Sequence, residues 1–387
     1  MFTLSTGLRK KLSKHIIASM NMKEGESLLI RAGLHEQELA EQLSIDAMKT
    51  GIDSLLSTTS DNYTKSVYKE IPVKFLKKPS KLSLKMVEAL DNLISLEKPK
   101  DPRILENISH KKIAAAVAGG QKLSKKMDKL GVKWCYVGYP SEELASKLGI
   151  SIKLLKRFII DGILIKKKIL IKKSAFLYKN LLNSEFVKIT DDYGTNITLK
   201  IKGRRINIDD GFISDEDIRK KDVGGNLPAG EVFIPPVETY GDGVLISPKR
   251  TDIYTGKMIK NIKLVFEKGR LNLKKTEAEK NERALKETIK KSIMIDRKYY
   301  SPIRTTNVAE LGIGLNPIIN KIIGYLLTDE KIGGTIHIAI GKNNMYGGRS
   351  DSCLHWDFIS NKGITLEIIK GRKTKILIER GKIKMGD

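Results

Sequence analysis

The chemistry of this chain is carried by a few histidines and acids. There are five histidines: His15, His35, His110, His337 and His355. His355 and Asp357 stand two residues apart in the run HWD. Strand side chains alternate with a period of two, so a strand here puts both on one face. An imidazole and a carboxylate on one face can bind the same metal ion. His337 lies in GGTIHIAIG, a second strand-like run, and the loop KNNMYGGRSDS allows the two runs to be neighbours. Two acids keep unusual company. Glu231 sits in NLPAGEVFIPP and Glu310 in NVAELGIGLNP, both apolar runs framed by glycine and proline. A carboxylate buried in such surroundings needs a cation or hydrogen-bond donors. Two Glu, two His and one Asp suit one or two borderline ions such as zinc, cobalt or manganese. A lone strand histidine is more often a hydrogen-bonded core residue; the set of five is what points to metal. Cys353, two residues before His355, is a soft extra ligand or, more ordinarily, a small buried hydrophobe. Glu238 is either near the site or a solvated turn residue.

These side chains need elements to hold them. The first half of the chain alternates helix and strand. Helical spacing runs over Lys10 to Met20, Glu36 to Thr50, His110 to Leu130 and from Ser141 to Leu148. Strand-like runs cover Ser27 to Ile30, Asp53 to Ser57, Leu90 to Leu96 and Trp134 to Val137. Strands separated by helices predict an α/β N-terminal domain with a mostly parallel sheet. Neither GxGxxG nor GxxxxGK[ST] follows any of these strands, so nucleotide binding has no motif support. Ser151 to Asn180 is lysine-rich and helical in pattern, interrupted at Gly162, and reads as solvated connecting helices rather than a membrane-surface segment. The domain boundary falls near residue 183, giving domains 1–183 and 184–387. The second half changes to short β-type runs: Phe186 to Ile189, Asn196 to Ile201, Val232 to Ile234, Val244 to Ile246, Lys260 to Phe266 and Ile364 to Ile369. One helix is predicted over Glu277 to Ser292. This is an α+β, β-rich C-terminal metal-binding domain.

Composition narrows the classes further. The 387 residues are 40% hydrophobic and 30% charged, so a packed core is expected and global disorder is not. The net charge is +26, which suggests a nucleic-acid partner first. Arginine, the residue of bidentate phosphate and guanine contacts, supplies only 15 of the 71 basic residues. The lysines are scattered, and aromatic residues are 6%, few for base stacking. A lysine-rich solvated surface is the better reading, and nucleic acid is an unlikely partner. Two cysteines build neither a disulfide framework nor a cysteine zinc site. No secretory signal and no membrane span is read, so a cytoplasmic setting is the expectation.

Taken in order, NLPAGEVFIPP, AELGIGLNP, GGTIHIAIG and HWDF resemble the aminopeptidase T/aminopeptidase S family of two-metal exopeptidases, the M29 or thermophilic metallopeptidases. The GESLLIRAG run and the Asp53–Ser54–Leu55 strand are similar to that family's N-terminal α/β domain. The resemblance covers nearly the whole chain, with its specificity in the C-terminal motifs. It implies a metallo-aminopeptidase with two divalent ions on Glu231, Glu310, His337, His355 and Asp357, and with Glu310 as the bridge. It implies a metal-bridging hydroxide as nucleophile, peptides with free N-termini as substrates, and a homodimer. Many members place a tyrosine seven residues after the first histidine, where it stabilises the oxyanion. That position is Asn344 here, with Tyr346 two residues on; either side chain is a candidate donor. The departure keeps a second reading open, that of a catalytically impaired or repurposed metal-binding member.

Overall fold

The computed structural model describes Thr3 to Met385, apart from the side chain of His110. It divides into two compact units, residues 1–164 with 211–229, and residues 165–210 with 230–387. These are not the two continuous stretches 1–183 and 184–387. The chain enters the second unit at Ile165, and the segment 211–229 returns to the first.

The first unit is an α/β layer built on a five-stranded parallel sheet. Its order is Asp53–Thr59, Ser27–Gly33, Asn92–Leu96, Lys133–Val137, Gly224–Leu227. The four strands predicted from sequence are present, and so are the helices that connect them. The helix Thr6–Ser19 buries Leu12 and Ile16, one turn apart, and starts at Ser5, whose side chain accepts the Leu8 N–H. The helix His110–Leu130 stops at Gly131, in the left-handed conformation that glycine adopts without penalty. The fifth strand, GGNL, carries no β-branched residue and is not apparent from sequence. Its Gly224 has a packing reason: a Cβ there would lie 2.1 Å from the Trp134 indole. No helix among the described residues is long and apolar enough to cross a membrane.

The second unit is β-rich, with two antiparallel sheets. The larger runs Arg270–Leu271, Met258–Glu267, Gly241–Thr251, Asn196–Lys200, Phe186–Thr190, Thr365–Lys370, Lys373–Glu379, Lys382–Ile383, with Glu277–Lys280 paired onto Met258–Glu267. That last pairing corrects the helix predicted over Glu277 to Ser292. Asn281 adopts φ 60°, which breaks the chain between the strand Glu277–Lys280 and the helix Glu282–Tyr299. The smaller sheet has the order His355–Ile359, Ile336–Gly341, Val308–Gly314, Glu231–Ile234, Asn207–Asp209. All its pairings are antiparallel. Val308–Gly314 and Ile336–Gly341 are buried along their whole length, which is why they read as continuous apolar runs.

Candidate metal centre

All five sequence-predicted ligands lie on the smaller sheet, and its register clears space for each. Glu231 pairs with Gly314, His337 with Gly312, Glu310 and Asp357 with Ala339, and His355 with Gly341. Each functional side chain therefore faces a residue with little or no side chain on the next strand. The clearance is needed at Gly312, where a Cβ would sit 2.0 Å from the His337 ring. It is needed again at Gly314, where a Cβ would strike the Ile332 and Glu330 carbonyls. The alternation E-L-G-I-G thus presents Glu310 on one face and two open beds beside it.

The side chains meet in two groups. Glu231, Glu310 and His337 form one; Glu310, His355 and Asp357 form the other, with the ligand atoms of each within 4.8 Å of one another. Glu310 belongs to both. One of its oxygens is 3.0 Å from His337 Nε2, and the other is 3.7 Å from His355 Nε2. His355 Nε2 is 3.1 Å from Asp357, and His337 Nε2 is 3.7 Å from Glu231 Oε2. Tetrahedral zinc with bonds near 2.0–2.1 Å separates its ligand atoms by about 3.4 Å, within the span of these distances. Glu231 Oε2 is buried with no hydrogen-bond partner among the described residues. A buried carboxylate oxygen in that state is suited to a cation. The donor set of imidazole and carboxylate fits a divalent ion of the zinc, cobalt or manganese kind.

Electrostatics in the site are dominated by burial and opposed by the close pairings. Burial works against charge on His337, but Glu310 and Glu231 outweigh it and lift its pKa to about 9. His355 is lifted to about 10 in the same way, with Asp357 as the main opposing partner. Burial would raise Asp357, yet His355 and His337 hold it well below the ordinary carboxylate range. His355 Nδ1 lies 2.8 Å from the Lys342 carbonyl and donates to it, which aims Nε2 at Asp357 and Glu310.

Sequence reasoning missed the cation beside this group. Lys331 is fully buried, with Nζ 2.5 Å from Glu231 Oε1, 3.2 Å from Glu330 Oε2 and 3.5 Å from Asp209 Oδ2. Burial opposes its charge, but Glu231, Glu330 and Asp209 hold its pKa well above the ordinary lysine value. Nothing in TDEKIGG distinguishes this lysine from the others.

The remaining candidates separate clearly. Tyr346 is partly buried, its hydroxyl 3.3 Å from the Lys342 carbonyl and 3.4 Å from His355 Nδ1. Its ring stands edge-on to His355 and Phe233. Burial and then Glu310 push its phenol well up, so it stays protonated and able to donate. Asn344 is exposed. Glu238 is not a solvated turn residue; it lies near the site and belongs to neither ligand group. It is buried and accepts from Arg204, from Asn343 Nδ2 at 3.1 Å and from the Arg349 N–H at 2.6 Å, bracing the loop that carries Tyr346. Cys353 is exposed and belongs to neither ligand group, correcting the buried reading. The strand begins only at His355, and the Cys353 N–H is held by Asp296.

The sequence model of the thermophilic metalloprotease family, M29, matches residues 10–382 of this chain. The chain belongs to the M29 family. This M29 chain is therefore a metalloprotease, a hydrolase, as the motifs lead one to expect. Two solved structures are similar over almost its whole length. Wild-type AmpT from Thermus thermophilus is 16% identical, covering 98% of this chain and 100% of that one at a TM-score of 0.74. The 2,5-dihydroxypyridine dioxygenase from Pseudomonas putida KT2440 is 12% identical, covering 98% of each at 0.61. At such identities the likeness is one of fold, and a fold shared by differently named enzymes does not select the reaction. No curated protein sequence matches this chain.

Proposed function

We propose that this M29 chain removes N-terminal residues from peptides with two divalent ions. Glu231, Glu310 and His337 hold one, and Glu310, His355 and Asp357 hold the other. The observation that supports it most is Glu310, whose two oxygens face different histidines in two separate ligand groups. Zinc, cobalt and manganese are the ions this donor set favours. When bound, such ions supply Lewis acidity toward the scissile carbonyl and an activated water at neutral pH.

The chain's own residues then have defined tasks. Glu310 spans the two positions. The Lys342 carbonyl fixes the His355 tautomer through Nδ1. Tyr346, next to His355 and kept protonated, is placed to donate a hydrogen bond to charge developing on the substrate carbonyl oxygen. The exposed Asn344 has no such placement, so the position shift is one of spacing, and the role passes to Tyr346.

The test is direct. Metal-free protein is loaded with zinc, cobalt or manganese, analysed for metal content and assayed on an aminoacyl chromogenic amide and its N-acetylated form. Two ions per chain and cleavage of the free-amine substrate alone are expected. Equal cleavage of both substrates, or turnover indifferent to chelator, would overturn the reading.

A further inference from the structure

We infer that Lys331 makes the two halves of the proposed metal centre unequal, so that the half built on Glu231 takes up its ion more weakly than the half built on Asp357. The inference rests on the two-metal reading above and concerns how the centre fills.

The asymmetry is visible in the partners of the two carboxylates. Lys331 Nζ is 2.5 Å from Glu231 Oε1, and the lysine is fully buried. Asp357 has His355 at 3.1 Å; Arg250 acts on it electrostatically, but not as an ion pair. An ammonium bound to a ligand oxygen weakens cation binding twice over. It takes one of the two oxygens, leaving Glu231 a single donor, Oε2. It also places a positive charge beside the incoming ion in a buried setting, where repulsion is screened little. Glu330 and Asp209 share the ammonium's charge, at 3.2 and 3.5 Å, yet Nζ lies nearest the carboxylate that belongs to a ligand group.

The ammonium is held where it is. The Asn316 N–H donates to the Lys331 carbonyl at 2.9 Å, and the Gly333 N–H donates back to the Asn316 carbonyl at 3.0 Å. Gly314, with no Cβ to strike the Glu330 and Ile332 carbonyls, lets this loop lie against the strand opposite Glu231. Lys331 is a positioning residue. It turns Oε2 of Glu231 toward His337 by occupying Oε1, and it sets the order of filling.

The test titrates cobalt(II) into metal-free, full-length protein, with bound metal measured after gel filtration and visible absorption followed at each step. The wild type should bind two ions in steps separated by about tenfold or more in Kd. Lys331→Met should tighten the weaker step and bring the two within about threefold, whereas Lys331→Arg should keep them apart. The methionine variant leaves buried acids unpaired and can fail to fold, so two further variants assign the steps with Lys331 in place. Glu231→Gln should abolish the weaker step, and Asp357→Asn the tighter one. Two equal steps in the wild type, loss of the tighter step in Glu231→Gln, or an unchanged separation in folded Lys331→Met would each overturn the inference while leaving the two-metal reading standing. Uptake of one ion at saturation would overturn both.

Discussion

Each unit buries a glutamate, and the two solve the same problem differently. Glu36, in the first unit, is fully buried after the strand Ser27–Gly33. Its Oε2 accepts the Gly33 N–H at 2.7 Å, while Oε1 has no hydrogen bond and faces His35 Nε2 at 3.8 Å. Burial pushes its pKa up to about 9 and pushes His35 down to about 4, so both are neutral at pH 7. Glu231, in the second unit, is buried to a similar degree, but an ammonium lies on one oxygen and an imidazole near the other. Burial pushes Glu231 up as well, to about 8, but there Lys331 and His337 oppose the rise. The second arrangement sets cations against its acid, and the first leaves burial to dominate. Burial of an acid is therefore no sign of a metal site by itself. Convergence of several acids and imidazoles on shared space is the sign, and among the described residues only the second unit shows it.

The largest effects should come from breaking that convergence. Glu310→Gln removes a ligand from both groups at once. Metal content should fall below one ion per chain, and activity should fall by far more than the roughly 10–100-fold that loss of an outer partner costs. Retention of two ions and of turnover would sink the shared-ligand assignment. Gly312→Ala tests the same sheet from the opposite side. Its Cβ would displace the His337 ring, so the Glu231 half should lose its ion and the fold about 1–3 kcal/mol, read by metal analysis and thermal melting. The matched change in the first unit, Glu36→Gln, should leave metal content as it is.

Much of this was legible in the sequence, for physical reasons that also set the boundary. HWD sets His355 and Asp357 one strand period apart, so their shared face could be read without a fold. Glu231 and Glu310 stood out because acids are rare among apolar, glycine-framed residues. Lys331 could not be singled out: in a chain with 71 basic residues, a buried lysine has the same letter as a solvated one. The strand Gly224–Leu227 was hidden because it carries no β-branched residue and its Gly224 makes room for the Trp134 ring. The choice proposed between Asn344 and Tyr346 turns on loop winding. Asn343 is fully buried and ties the loop to Glu238, to the Ala309 carbonyl and to the Ser350 N–H. Spacing counted along the chain cannot see that turn.

An intermediate effect should follow from the loop. Tyr346→Phe removes the hydroxyl that lies 3.4 Å from His355 Nδ1 and leaves every proposed ligand in place. Two ions should stay bound while kcat falls about 100–1,000-fold, the usual cost of one oxyanion donor. Asn344→Ala should change kcat by less than about twofold. If the asparagine variant lost activity and the phenylalanine variant kept it, the donor would be Asn344.

The smallest effect sharpens the contrast between the units, because it belongs to stability and not to catalysis. Glu36 has a folded pKa near 9 against an ordinary 4.5, so the folded chain keeps a proton that the unfolded chain releases between those values. Stability must then fall as pH rises through that window, by up to about 1.4 kcal/mol per pH unit. Glu36→Gln keeps an oxygen to accept the Gly33 N–H and has no proton to lose. The variant should match the wild type near pH 5 and melt progressively higher than it at pH 7 and 9. Thermal melts of metal-free protein at the three pH values give the comparison free of the second unit's ions. A constant difference across pH would mean that Glu36 is charged in the fold, and that the two units do not differ in the way they hold a buried acid.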